Sequence, residues 1–231
     1  MNIKTRASET RNGLQQGIYF VINPFVRFLI AIGVTPNVVT TIGLLGNIAA
    51  AVVFVLAAVK AAAGTVDYSL VVWAGGLIIG FSLFDMLDGQ VARLGNMTTR
   101  FGAMYDSVLD RYCEIFTLGG IAYYLAGCGD LTGSILTFLA LTGSVMVSYV
   151  RARAEGLGLE CKIGFMQRPE RVVVTSLAAL ATGITGLSIA QDSTFDPNVI
   201  LDVAMGIIAL FGNMTAFARI NYCRRQLQAK K

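Results

Sequence analysis

Four stretches of this chain carry no charged residue over the length of a bilayer-crossing helix: 38–59, 68–84, 131–150 and 172–191. About 20 apolar residues cross the hydrocarbon core as a helix. In lipid every backbone N–H and C=O must bond within its own segment, so runs this long are read as helices. Two more runs are interrupted near one end. Residues 101–129 carry charges in their first half and are apolar from Ile115 to Gly129, and 197–218 contains only Asp202. The expected fold is an all-α integral membrane protein with six transmembrane helices.

Composition agrees with this and removes several kinds of chemistry. Hydrophobic residues make up 55% and charged residues 14%, against about 25% charged in a soluble domain. Histidine is absent, which excludes imidazole metal ligands, haem ligation and Ser-His or Cys-His nucleophilic centres. The four cysteines (Cys113, Cys128, Cys161, Cys223) have no CxxC spacing and read as small apolar residues. Gly76-x-x-x-Gly80 is compatible with close helix packing, although glycine is common in membrane helices.

Lys4, Arg6 and Arg11 precede an apolar stretch from Ile18 to Val34 that is broken by Asn23-Pro24 and Arg27 and lacks a small-residue cleavage pattern. An interfacial amphipathic helix fits it better than a seventh span. The loops then divide by charge. One face receives Lys60, Asp67, Asp130, Asp192, Asp196 and Asp202, and the other receives 17 of the 18 basic residues. Basic residues stay in the cytoplasm, so both termini and the loops between spans two and three and between four and five are expected there, at the cell (inner) membrane. The expected organisation is 1–36 as cytoplasmic N-terminus and interfacial helix, 37–221 as a six-span domain and 222–231 as a basic cytoplasmic tail.

Acidic residues gather at the cytoplasmic ends of spans two and three. Asp85 and Asp88 are spaced i,i+3 and Asp106 and Asp110 i,i+4, so each pair shares a helix face. Four carboxylates near a membrane boundary repel one another, and desolvation worsens the repulsion. Divalent cations relieve it, and an all-oxygen ligand set favours Mg²⁺ or Mn²⁺. Gly89 and Gly102 remove side-chain bulk where a ligand or backbone must come close, and Arg93, one turn beyond Gly89, is suited to phosphate. The plainer alternative is a solvated charged loop after an apolar helix. It explains one Asp pair but not two in helical register on consecutive helices.

Asp85-x2-Asp88-Gly89-x2-Ala92-Arg93-x8-Gly102-x3-Asp106-x3-Asp110 resembles, at every fixed position across 26 residues, the signature of the CDP-alcohol phosphatidyltransferases. The six spans, cytosolic termini and interfacial helix agree, so the resemblance covers nearly the whole chain. It implies transfer of a phosphatidyl group from CDP-diacylglycerol to an alcohol, with release of CMP. By the same resemblance Asp85, Asp88 and Asp106 hold two metal ions, and Asp110 contacts one and acts as general base. Gly89, Arg93, Thr99 and Gly102 fall at nucleotide and diphosphate positions, and Asn37-Val38-Val39-Thr40 resembles the segment holding the donor's CDP end. A homodimer is implied only by resemblance, and no nucleic-acid partner is expected.

The acceptor is read from the other cytoplasmic loop. Ser148-Tyr149-Val150-Arg151-Ala152-Arg153-Ala154-Glu155 closes span four, Arg168-Pro169-Glu170-Arg171 opens span five and Arg219 ends span six. Arginine forks bind phosphate bidentately, so a phosphorylated polyol fits. The alternative is positive-inside topology with attraction to anionic headgroups, which covers Arg224, Arg225, Lys230 and Lys231. Both arginine stretches, with the Phe-Asp-Met-Leu-Asp-Gly wording, resemble bacterial phosphatidylinositol-phosphate synthases. That branch places Ser148, Arg151, Arg153, Arg168, Arg171 and Arg219 around the phosphate of inositol phosphate. Arg151 departs from it, standing where a lysine is expected. Glycerol phosphate, free inositol or serine as acceptor remain alternatives within the family. A cation transporter is the alternative outside it, although its acids would sit near the bilayer midplane and its halves would repeat.

Overall fold

The computed structural model describes residues 22–189 and 195–229, and among them every regular element is an α-helix. The elements are α1 (Ile22–Ala31), α2 (Pro36–Ala62), α3 (Tyr68–Ser82), α4 (Phe84–Leu94), α5 (Arg100–Gly127), α6 (Leu131–Glu155), α7 (Arg168–Ser188) and α8 (Asn198–Ala229). Five helical stretches combine span length with apolarity: α2, α3 continuing into α4, α6, α7 and α8. The sixth, α5, has 28 residues and therefore the length, but its first half carries Asp106, Asp110, Arg111 and Glu114. The all-α membrane architecture expected from the charge-free runs is what the structure shows.

Of the stretch read as interfacial, residues 18–21 lie outside the described residues, as do Lys4, Arg6 and Arg11. The described part forms α1, whose 10 residues extend about 15 Å against a hydrocarbon core of about 30 Å. By itself that described part is shorter than a span. Its end is set by Gly33, in the left-handed region at φ 79°. The N–H of Gly33 bonds Ile30 O and that of Val34 bonds Leu29 O, both at 3.0 Å. Pro36 then opens α2, where a missing N–H costs nothing.

The chain divides into two compact units: the described part of Met1–Gly43 with Leu83–Leu109, and Leu44–Ser82 with Asp110–Lys231. The smaller unit has its own core of Val26, Val39, Leu87 and Val91, which packs α1 against the starts of α2 and α4. Leu83, itself in the α region at φ −67° and ψ −27°, joins α3 to the Asp-bearing α4, which buries Leu87, Asp88, Gln90 and Val91. Thr99 caps α5, its Oγ1 accepting from the Gly102 N–H at 2.9 Å.

The larger unit is built on Phe54, Tyr124, Leu125, Leu201, Met205 and Ile208, all fully buried. Small residues set the helix spacing there. A Cβ added to Gly120 would lie 2.9 Å from Ala51 Cα, and one on Gly127 would lie 2.6 Å from Ala58 O. The repeats Ala51/Ala58 and Gly120/Gly127 therefore bring α2 and α5 into backbone contact. The Gly76/Gly80 pair does not pack this way, since a Cβ at either meets nothing within 4 Å. Buried polar bonds cross the unit as well, with Tyr124 OH donating to Asn198 Oδ1 at 2.9 Å and Thr117 Oγ1 to Asn47 Oδ1 at 3.2 Å. At the face carrying Lys60, that ammonium meets Asp67 at 2.7 Å and Ser69 donates to the second carboxylate oxygen. Lys60 first, then Ser69, hold the Asp67 carboxyl down at about 2, below its ordinary 3.8.

Candidate active site

In the smaller unit the starts of α2 and α5, together with α4, enclose a cavity of about 210 Å³. Asn37, Thr40, Asp88, Gly89, Arg93, Thr99, Gly102 and Asp106 line it. Eight of the residues singled out in the sequence, from three separate segments, thus share one space. Val38 and Val39 do not. Val38 is exposed, and Val39 is buried in the core beneath the cavity. Alternation on the helix explains the split, because Asn37 and Thr40 are three apart and share a face.

Asp88 is 6% exposed. Its Oδ2 accepts a 2.7 Å hydrogen bond from Thr40 Oγ1, which also lies 3.0 Å from Pro36 O. A hydroxyl has one proton, and the shorter, charge-assisted contact takes it. Asp106, on the cavity wall, and Asp85 both act on Asp88 through space. Arg93 folds back over Gly89, where an added Cβ would touch the guanidinium at 3.5 Å. At Gly102 a Cβ would sit 3.0 Å from Thr99 Oγ1 and 3.4 Å from Asn37 Oδ1, so glycine is what lets α2 and α5 close around the cavity floor. Thr41, one residue past Thr40, bonds Asn37 O at 2.7 Å and Tyr105 OH at 3.0 Å, a tie that the motif gave no reason to expect.

The larger unit holds the remaining residues. Asp110 Oδ1 pairs with Arg168 Nη2 at 2.9 Å, and Glu114 pairs with Arg171 Nη2 at 2.6 Å. Arg219, 2% exposed, donates from Nη1 to Val147 O at 2.6 Å and from Nε to Ile163 O at 2.8 Å. Arg151 and Arg171 are within electrostatic range of Arg219. Arg151 is itself tied to Glu155 at 2.9 Å in an exposed i,i+4 pair, Arg153 is exposed and Ser148 is buried. The heads of Arg151, Arg168, Arg171 and Arg219 are engaged with acids and carbonyls of the same chain.

The donor set suits a hard divalent cation, because among the described residues the carboxylates lining the cavity are Asp88 on α4 and Asp106 near the start of α5. Among the described residues, however, no three acidic or thiol side chains are drawn together at ligating distance. The fit is one of chemistry and placement, with the carboxylates spread around the space. Sequence reasoning missed Glu114. Its signal was present, since it continues the i,i+4 row of Asp106 and Asp110 along α5.

Residues 33–215 match the model of the CDP-alcohol phosphatidyltransferase family. The phosphatidylinositol phosphate synthase of Streptomyces avermitilis is 34% identical over 209 residues, covering 89% of this chain and 79% of that one. The archaetidylinositol phosphate synthase of Methanothermobacter thermautotrophicus is 36% identical over 173 residues, covering 75% and 80%. Among solved structures, Mycobacterium tuberculosis phosphatidylinositol phosphate synthase with CDP-DAG bound aligns at a TM-score of 0.72 with 30% identity, covering 87% of this chain and 92% of that one. A crystal structure of the same enzyme in complex with manganese and citrate aligns at 0.72. The chain belongs to the CDP-alcohol phosphatidyltransferase family. It is an integral membrane protein and an enzyme of that class.

Proposed function

We propose that this enzyme transfers the phosphatidyl group of CDP-diacylglycerol to inositol phosphate, giving phosphatidylinositol phosphate and CMP. The observation that carries the reading is the cavity in which Asp88, Asp106, Arg93, Thr99, Gly102, Asn37 and Thr40 meet. Arg93 would hold the diphosphate, while Asn37 and the Gly102 backbone would border the nucleotide. Asp85, Asp88, Asp106 and Asp110 would hold divalent ions, Mg²⁺ or Mn²⁺, which when bound neutralise a diphosphate and stabilise the leaving CMP oxygen. Thr40 fixes the Asp88 carboxylate through its hydroxyl. Asp110 would take the proton of the attacking hydroxyl, with Arg168 setting the direction of its Oδ1.

The arginines support a phosphorylated acceptor. Arg151 lies within electrostatic range of Arg219, and with Ser148, Arg153 and Arg168 they would supply donors for a phosphate once present partners exchange. The relatives from Streptomyces and Methanothermobacter differ in name in the lipid part and share inositol phosphate, which supports that acceptor. Positive-inside charge bias supports the site and both termini lying on the cytoplasmic side of the inner membrane. Residues 37–221 would form the catalytic domain, working as a homodimer, with 1–36 and 222–231 flanking it. Purified protein given CDP-diacylglycerol, Mg²⁺ and a panel of alcohols tests the reading. Phosphatidylinositol phosphate should form with inositol phosphate, whereas a lipid product formed only from glycerol phosphate would overturn the acceptor assignment.

A further inference from the structure

Asp110 and Glu114 stand one turn apart on α5, and Arg168 and Arg171 stand nearly one turn apart on α7. They meet in order, Asp110 with Arg168 at 2.9 Å and Glu114 with Arg171 at 2.6 Å, so α5 and α7 run parallel there. The two pairs differ in burial. The Arg168 side chain is 22% exposed and its partner 14%, while Arg171 and Glu114 are 3% and 7% exposed. Both Nε and Nη2 of Arg171 reach the same Glu114 oxygen, and Nη1 donates to Met166 O at 3.0 Å in the loop before α7. Met166 is itself 2% exposed. Glu114 Oε2 is buried without a hydrogen-bond partner beside a cavity of only about 30 Å³, which Thr117 and Thr175 also border. That space is too small for a polyol phosphate. The buried pair therefore does not itself receive the acceptor in this state.

Packing alone does not account for such a pair. Desolvating two charges is costly, and hydrocarbon of similar volume is often as good or better for stability. A buried pair does fix register, because only one alignment of the two helices brings both charges together. A slide of α7 along α5 by one turn, about 5.4 Å, would separate Glu114 from Arg171 and carry Arg168 away from Asp110. We propose that Glu114 is a positioning residue: by clamping Arg171 and, through it, the Met166 loop, it sets the α5–α7 register that presents Arg168 and Asp110 to the acceptor. The inference rests on Arg168 being an acceptor contact, and it reassigns Arg171 from phosphate binding to holding α7 in place.

The test compares acceptor kinetics of purified Glu114→Gln, the double variant Glu114→Leu with Arg171→Met, and Arg168→Ala, with melting temperature in detergent recorded for each. Glu114→Gln keeps shape but loses the charge, and should raise the acceptor KM about tenfold with the CDP-diacylglycerol KM unchanged. The double variant replaces the pair by hydrocarbon and should recover the melting temperature while the acceptor KM stays raised. Wild-type acceptor KM in the double variant would overturn the inference, since the pair would then contribute only packing. The same double variant answers the question if Glu114→Gln alone fails to fold. If Arg168→Ala leaves the acceptor KM unchanged, the acceptor reading itself fails. If Arg168→Ala raises it and the Glu114 variants do not, the acceptor reading stands and Glu114 has no positioning role.

Discussion

The two clusters of charged residues are built in opposite ways. In the smaller unit, the residues of the aspartate motif surround an open space, and Asp88 has one neutral hydroxyl as its fixed partner. In the larger unit, arginine heads are already engaged, Arg171 by Glu114, Arg168 by Asp110 and Arg219 by two backbone carbonyls. The cavity that Asp88 and Asp106 line is open space for a ligand, so losing either carboxylate should remove function outright. A cluster of engaged arginines must trade internal partners for a ligand, so losing a member should appear first as weaker binding. The first design suits chemistry and the second suits selection.

Asp88→Asn and Asp106→Asn should break the first region most severely. Loss of a partner at one remove from a metal costs roughly 10–100-fold, and loss of the carboxylate itself should exceed that, measured as CMP release. EDTA should abolish the wild-type reaction and Mg²⁺ or Mn²⁺ should restore it; full activity in EDTA would remove metal from the account. In the second region, Arg168→Ala should raise the acceptor KM by ~10- to ~150-fold, the equivalent of a charge-assisted contact of roughly 1.5–3 kcal/mol. The donor KM should hold. A reversed pattern, with donor affinity lost and acceptor affinity kept, would erase the distinction between the two regions.

Thr40→Val sharpens the comparison within the first region by deleting only the hydroxyl that holds Asp88. A drop of about tenfold in turnover is expected, smaller than for Asp88→Asn, and an equal drop would mean that Thr40 contacts the substrate directly. The smallest effect belongs to the Lys60–Asp67 pair, away from both regions. Its carboxyl is lowered from 3.8 to about 2, so its stabilisation is complete above pH 3.8 and fades as pH falls through about 2. Because the pair is solvent-exposed, roughly 0.2–1 kcal/mol is at stake. Asp67→Asn should therefore lower stability slightly at neutral pH, with the difference from wild type vanishing in strong acid and CMP release unchanged.

The spans were legible because lipid leaves a long apolar segment one backbone solution, and the charge-free runs fall within α2, α3 with α4, α6, α7 and α8 to within a few residues. Most of the donor cavity was legible too, because Asp88, Gly89, Arg93, Gly102 and Asp106 form one sequence motif in helical register. What the sequence did not show was pairing at long range. Nothing local joins Thr40 to Asp88, 48 residues away, or Arg171 to Glu114, 57 away. For the same reason the arginines read from the sequence as phosphate ligands, whereas the fold shows which internal acceptors they already serve. The Gly76/Gly80 spacing is compatible with close packing but meets no other helix of this chain, while Gly120 and Gly127, seven apart, do.

The central claim is that an open carboxylate cavity and a cluster of arginines together direct a phosphatidyl group to a phosphorylated polyol. The most direct measurement incubates purified enzyme with CDP-diacylglycerol, Mg²⁺ and an equimolar mixture of inositol phosphate, free inositol, glycerol phosphate and serine, and identifies the lipid formed by mass. Phosphatidylinositol phosphate as the main product, with stoichiometric CMP, is the predicted result. A main product from an uncharged acceptor such as free inositol, formed as readily by Arg168→Ala as by the wild type, would contradict it.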